Sequence, residues 1–330
     1  MSERTGVICA GNWIVDLVHD IDHWPAESNL TRIGAQTRGV GGGAANVIFA
    51  LSKLETGIPL WPMGAVGDDD YGAYILDECR SLGLPTDQLI AKNHVATAHT
   101  HVMSVAGKSR TFFYQGGAND KLSADDFPAG TFANTPARLF YLGYLTLLGT
   151  LDAFDEEGMT DAGKVLQRAQ AAGLTTCVDL VSMPHPDFVK IATAAAPYID
   201  FLIVNEIEAA LATGTKGGNA DAEQLKQMAQ DLIGKGVCNA VIIHCVERIV
   251  WANADGGSLV VSVLQVPADQ IASNLGAGDA FCAGLLFGIH EGWSPQHSVQ
   301  LAIATARASL GGYTATEAIP PLSTLKRTIE

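Results

Sequence analysis

The amino-acid sequence predicts an α/β protein: a parallel sheet covered by helices on both faces, built as one continuous domain over residues 1–330. Short apolar runs rich in β-branched and aromatic residues alternate with segments of helical periodicity. Those runs are mostly apolar at successive positions and not only at alternate ones, as suits strands buried on both faces. No fixed-period repeat and no low-complexity linker divides the chain.

The elements follow in order. VICAG (7–11) is the first strand-like run, and GAANVIFALSKL (43–54) the first helix, with Ala44, Val47, Ile48, Leu51 and Leu54 on one face. YGAYILDECRSLG (71–83) is a second helical segment. TAHTHVMSV (97–105) and RTFFY (110–114) flank the turn AGKS as a hairpin. With the extended stretch VDLVHDIDHWP (15–25) they are expected to form a small antiparallel flap outside the main sheet. Strands RLFYLG (138–143), TTCVDLV (175–181), DFLIVN (200–205) and NAVIIHC (239–245) then alternate with helical segments at 155–173 and 221–236.

Composition bounds the function. Hydrophobic residues make up 48% of the 330, enough for a sizeable core. A formal charge of −15 argues against a nucleic-acid footprint and an anionic-membrane binder, whereas backbone amides can still bind phosphates locally. Cys9, Cys79, Cys177, Cys238, Cys245 and Cys282 are scattered without a CxxC pair and read as reduced thiols of a cytoplasmic protein. The start MSERTGVICAGNW has no basic-then-apolar leader, so no signal peptide is expected. The longest apolar stretches are interrupted, as by Pro197, Asp200 and Asn205. A soluble protein without a membrane partner is expected.

Four short stretches carry chemistry. In GVGGGAANVIFALSKL (39–54) a helix begins near Gly42–Gly43, where bare backbone lets a ligand approach the N–H groups. Asn46 in its first turn either reaches a bound hydroxyl or bonds nearby backbone. In SNLGAGDAFCAGLLFGI (273–289) Gly276, Ala277 and Gly278 feed a second helix start, a nest for an anion. Asp279 there is either a helix-start residue holding local amides or a base beside the cradle. In NEIEAALATG (205–214) Asn205 and Glu208 share one side of a starting helix. They fit a capping box or oxygen groups organising hydrated Mg²⁺ through water. Asp16, in CAGNWIVDLV (9–18), either accepts from two neighbouring hydroxyls of a polyol or is a solvated loop acid.

Other residues have plainer readings. His99 and His101 share one side of a strand, but no third metal ligand is evident nearby, which favours surface or substrate-facing histidines. Cys245 and Cys282 read as packing residues. Trp13 either packs in the core or stacks on a substrate.

Taken together and in this order, the stretches resemble the PfkB (ribokinase-like) family of carbohydrate and nucleoside kinases over essentially the whole chain. VGGGAAN matches the early glycine-rich signature, NEIEAALATG the Asn-x-x-Glu motif and GAGDAFCAG the late signature. GAVGDDDYG (64–72), QGGANDKLSADDF (115–127) and ATARASLGGYTATEAIP (304–320) also resemble family stretches. The resemblance implies a doubly wound, mostly parallel sheet with a small β-lid, formed by segments near 12–40 and 95–118. It implies Mg²⁺-dependent transfer of the ATP γ-phosphoryl group to a hydroxyl of a sugar or related polyol. Carried over by position, Asp279 is the general base and Gly276, Ala277 and Gly278 form the anion hole. Asn205 and Glu208 organise Mg²⁺ through water, and Asp16, Gly42 and Asn46 hold the acceptor. The lid is a candidate homodimer surface.

The sequence also departs from the pattern. Ser273, Asn274 and Leu275 replace the usual Asp-Thr-Thr, which removes a commonly cation-binding acid, so potassium activation is not expected. HCVERI (244–249) stands where the family often carries Thr-Leu-Gly-x-x-Gly, with Val246 and Ile249 in place of both glycines. Either that loop takes another path or nucleotide affinity is reduced. Gly43 stands where ribokinases proper place a Lys, which makes ribose a poor first choice. A nucleoside kinase and a non-catalytic member that binds a sugar or protein partner remain open alternatives. An NAD-dependent oxidoreductase lacks its GxGxxG after the first strand.

Overall fold

The computed structural model describes residues 4–107, 110–215 and 218–329. The first half runs β1 (Val7–Gly11), β2 (Ile14–Ile21), β3 (Ile33–Gly41), α1 (Gly43–Lys53), β4 (Leu60–Gly67), α2 (Asp70–Ser81), β5 (Leu89–Lys92), β6 (His99–Ser104) and β7 (Thr111–Gln115). It continues with α3 (Ala129–Asn134), β8 (Leu139–Leu145), α4 (Asp161–Ala171), β9 (Thr175–Leu180), α5 (Phe188–Ala195), β10 (Phe201–Asn205) and α6 (Glu206–Thr213). The chain closes with α7 (Ala222–Gly234), β11 (Ala240–His244), β12 (Arg248–Asn253), β13 (Ser258–Ser262), α8 (Ala277–His290), α9 (Pro295–Ser309) and α10 (Leu322–Ile329).

Nine strands form the main sheet in the order β13-β12-β11-β10-β9-β8-β1-β4-β5. All pairs from β11 to β5 are parallel, and only β12 and β13 add on antiparallel. Alternation along β1 shows why both faces must be apolar. Ile8 and Ala10 join the core under α3–α7, while Val7 and Cys9 join the core under α1, α2 and α8–α10. Each of the five strands read from the sequence is present within two residues of its expected ends.

Four differences have physical causes. The helical segment expected over 155–173 starts only at Asp161. Before it, Asp155 accepts from the amides of Glu157 and Met159, and Phe154 bridges Thr160, whose hydroxyl caps α4. Helix α1 is buried from Gly43 to Leu51 on every side, not on one face, because α8 covers what the sheet leaves open. Strand β12 is not among the expected strands, since the turn between β11 and β12 contains no glycine, proline or asparagine to mark it; β4, β5 and β13 are not among them either.

The fourth difference concerns the small sheet, ordered β3-β2-β6-β7. Both expected segments contribute, but the sheet is mixed: β2 pairs antiparallel with β3 and parallel with β6. The tip of the β6–β7 hairpin at residues 108–109 lies outside the described residues. All six cysteines are free; Cys238 is exposed and Cys245 half-buried. Among the described residues no helix is long and apolar enough to cross a membrane.

Candidate active site

The carboxyl ends of β8, β9, β10 and β11 open into one cavity of about 1220 Å³, roofed by β2, β6 and β7 of the small sheet. In open α/β sheets, that end of the strands is where ligands bind. All nine residues singled out from the sequence line it: Asp16, Gly42, Asn46, Asn205, Glu208, Gly276, Ala277, Gly278 and Asp279. A second hollow, about 440 Å³ between Phe201, Trp251 and Trp293, has one acid, Asp255.

Helix α8 begins at the cavity. Gly276 is its N-cap in the left-handed region at φ 70, where a side chain would strike Ala315. Ser273 Oγ accepts from the Leu275 amide at 3.0 Å and shapes the approach. The Ala277 amide reaches Asn274 O only at 3.4 Å. Among the described residues the Gly276 and Gly278 amides have no acceptor, so they remain free at the positive end of a 14-residue helix.

Asp279 follows in the first turn and is 5% exposed. Its Oδ2 accepts from Asn46 Nδ2 at 2.8 Å and from the Tyr144 hydroxyl at 3.1 Å. Both donors act on the same oxygen, so Oδ1 has no hydrogen-bond partner among the described residues. Burial drives the carboxyl from its ordinary 3.8 up to about 7. The two hydrogen bonds hold it down, and the charges of Glu208 and Asp16 push it up. Asn46, read from the sequence as a hydroxyl-binding residue, therefore spends its NH₂ on aiming Asp279.

The glycines before α1 are occupied by protein. A side chain at Gly41 would strike the Asp16 carboxylate; at Gly42, with φ 95, it would lie 2.5 Å from Asn12 O; at Gly43 it would lie 2.7 Å from the Tyr144 ring. Asp16 is on β2 and half-buried. Burial lifts its carboxyl to about 6 against the hydrogen bond from Thr100 and the charge of Arg110.

Asn205 and Glu208 make the capping box that their spacing allows. Asn205 Oδ1 accepts from the amides of Ile207 and Glu208, both at 2.9 Å, and Glu208 Oε2 accepts from the Asn205 amide at 2.9 Å. Glu208 Oε1 accepts from Ser182 Oγ at 2.8 Å and Asn205 Nδ2 at 2.7 Å. The cap and the site are compatible, because β10 delivers the start of α6 to the cavity floor. Burial raises the Glu208 carboxyl to about 7.

Several residues escaped the sequence reading. Asp179 on β9 accepts from the Tyr141 hydroxyl and the Tyr144 amide, each at 2.6 Å, and burial holds its carboxyl well above the ordinary range. The one available signal was an acid inside a run otherwise apolar on both faces. Tyr144, at φ 61, is a bulky residue in the left-handed region. Asp179 holds its amide while its phenol holds Asp279, an arrangement with no local sequence mark. His244 ends β11 beside Gly278, with its ring 4.9 Å from that of Phe281, and burial lowers it to about 4, so it stays neutral.

The HCVERI stretch takes another path: Cys245 N donates to Arg248 O at 2.9 Å in a tight β11–β12 turn. Val246 is 77% exposed and Ile249 is buried in the core, so neither side chain enters the cavity. His99 and His101 face away from it. They meet Tyr71 and a third histidine, His19, whose Nε2 is 3.0 Å from His101 Nδ1. Among the described residues no group of three or more His, Cys, Asp and Glu is placed to hold a metal directly. Trp13 is a core residue, fully buried, with its Nε1 donating to Met63 O at 2.9 Å.

Comparisons with known proteins match the chain over nearly its whole length. The model of the pfkB family carbohydrate kinases matches residues 4–321. A 5-dehydro-2-deoxygluconokinase of Geobacillus kaustophilus is 24% identical over 98% of this chain and 93% of that protein. Arabidopsis thaliana ribokinase, solved with ribose and ATP, shares the fold with a TM-score of 0.79 at 22% identity, covering 99% of each chain. Burkholderia thailandensis nucleoside kinase, solved with inosine, superposes with a TM-score of 0.73 at 18% identity over 98% of this chain and 96% of that one.

Proposed function

The chain belongs to the pfkB family of carbohydrate kinases and phosphorylates a sugar with ATP, and from that premise we propose how its own residues carry out the transfer. Asp279 is the general base. Its Oδ2 is held by Asn46 and Tyr144, which leaves Oδ1 to take the proton of the acceptor hydroxyl. As that proton leaves, the acceptor oxygen bonds to the γ-phosphorus and the bond from phosphorus to the ADP oxygen breaks. The amides of Gly276, Ala277 and Gly278, at the positive end of α8, hold the negative charge of the transferring group. A carboxyl near 7 matches a base working near neutral pH.

Asp16 and the backbone around Gly42 hold the acceptor under the small sheet, which acts as the lid. Asn46 contributes mainly by orienting the base. Asn205 spends its Nδ2 on Ser182 and Glu208, and the carboxylate and amide oxygens of the pair already hold protein donors. They suit a hydrated Mg²⁺ through water and not a direct cage. When bound there, Mg²⁺ would neutralise phosphate charge.

The observation that carries this reading is the free Oδ1 of a buried acid beside acceptor-free amides in the cavity. Asp279→Asn keeps the shape and removes the base. Turnover with Mg-ATP and a responding sugar should fall by about 10³-fold, with nucleotide affinity within about threefold of wild type because the amide cradle is untouched. Near-normal turnover of the variant would show that Asp279 is not the base.

The small sheet also supports a homodimer. Trp24 and Phe113 stack at 6.2 Å and are about half exposed, and Leu30 is 85% exposed. Sedimentation analysis should find a dimer that Leu30→Asp dissociates; a monomeric wild type would refute it.

A further inference from the structure

The cavity is acidic, and one cation breaks that pattern. Asp16, Asp179, Glu208 and Asp279 line it, and among the described lining residues Arg110 is the single Lys or Arg. Arg110 leads into β7 on the lid. Its Nη1 is buried without a hydrogen-bond partner, and no carboxylate among the described residues lies within 4.0 Å of it. A half-buried guanidinium with an idle donor is unfavourable unless a ligand completes it. Its position also separates the two ends of the site. The charge of Arg110 is felt at Asp16, which is on the lid, whereas the phosphate cradle is on α8.

We propose that Arg110 docks a carboxylate on the phosphoryl acceptor, so that the sugar this enzyme phosphorylates is a sugar acid. This rests on the kinase reading above. The planar guanidinium fork matches a carboxylate with two parallel N–H···O bonds. Among the described lining residues, one guanidinium pairs with the single charge of a carboxylate and leaves a second phosphate group under-neutralised. The acceptor then spans from Arg110 on the lid, past Asp16, to the hydroxyl facing Asp279 Oδ1.

The test uses matched pairs that differ only in the charged end: D-gluconate against D-glucitol, and 5-dehydro-D-gluconate against L-sorbose, with D-fructose 6-phosphate as a third kind of acceptor. Wild type should favour an acid over its neutral partner by about 100-fold in kcat/KM. Arg110→Gln should erase that preference through KM while changing neutral acceptors less than threefold, and Arg110→Lys should recover part of it. Neutral sugars or the sugar phosphate preferred by wild type would overturn the proposal. So would an Arg110→Gln loss of equal size in kcat for acids and neutral sugars, which would put Arg110 on the transferring phosphoryl group. Thermal shift keeps this separable from the kinase reading. Stabilisation by the acids that Arg110→Gln abolishes supports Arg110 even without turnover, and equal stabilisation of both proteins refutes it.

Discussion

Two glycine-rich helix starts face the same cavity, and protein crowds their glycines to different degrees. Before α1, protein fills the space that the glycines leave: the Asp16 carboxylate against Gly41, the Asn12 carbonyl against Gly42 and the Tyr144 ring over Gly43. At α8 only Gly276 is crowded in that way, by Ala315; the space beyond Gly278 holds nothing closer than the His244 ring at 3.5 Å, and Gly276, Ala277 and Gly278 line the open cavity. A glycine can therefore mark where protein packs closely or where a ligand does. The discriminating fact is what a Cβ would touch, which the local sequence does not contain.

Substitution separates the two starts sharply. Gly42→Ala should cost about 3 kcal/mol of stability, because a side chain at φ 95 is strained and meets backbone. Chemical denaturation reads that directly, and a wild-type midpoint would mean that α1 can shift and that the packing there is loose.

Tyr144→Phe comes next in size. The phenol links the two starts, resting over Gly43 and donating to Asp279. Losing that donor raises the Asp279 pKa further, so the rise of kcat/KM with pH should move to higher pH, with activity at pH 7 down about tenfold. An unmoved profile would show that Tyr144 only packs.

Gly278→Ala should have the smallest effect, with opposite signs on the two properties. It places a better helix former at an unstrained position, raising stability by up to about 1 kcal/mol. The same methyl group intrudes on the phosphate, and nucleotide affinity should weaken about fivefold. Weakened stability with unchanged affinity would reverse the assignment of the two starts.

Stability against pH tests the buried acid itself. Asp279 has its folded pKa raised from 3.8 to about 7, so the folded state binds more protons across that window, and stability contributed by this group is lost as pH rises through it. Asp279→Asn should therefore unfold at a higher temperature than wild type at pH 8, with the gap closing towards pH 4. A gap independent of pH would mean that the carboxyl is not strained by burial.

The same contrast explains how far the sequence could be read. The parallel sheet, its five principal strands and the start of α8 depend on local periodicity and on a glycine-bounded helix start, and all are visible in the residues themselves. Asn205 and Glu208 were legible because a cap is a three-residue relation. What joins Asn46 to Asp279 lies 233 positions apart in the chain. Tyr144 depends on an unusual φ held by Asp179, and Arg110 depends on which other charges fail to come near it. Those relations arise only when α1, β8, the lid and α8 meet.

The direct measurement is a crystal structure of the protein with Mg²⁺ and a non-hydrolysable ATP analogue. A terminal phosphate oxygen is expected within about 3 Å of the Gly276 and Gly278 amide nitrogens, with Asp279 Oδ1 open towards the lid. Phosphates bound elsewhere, with those amides facing only solvent or protein, would contradict the account.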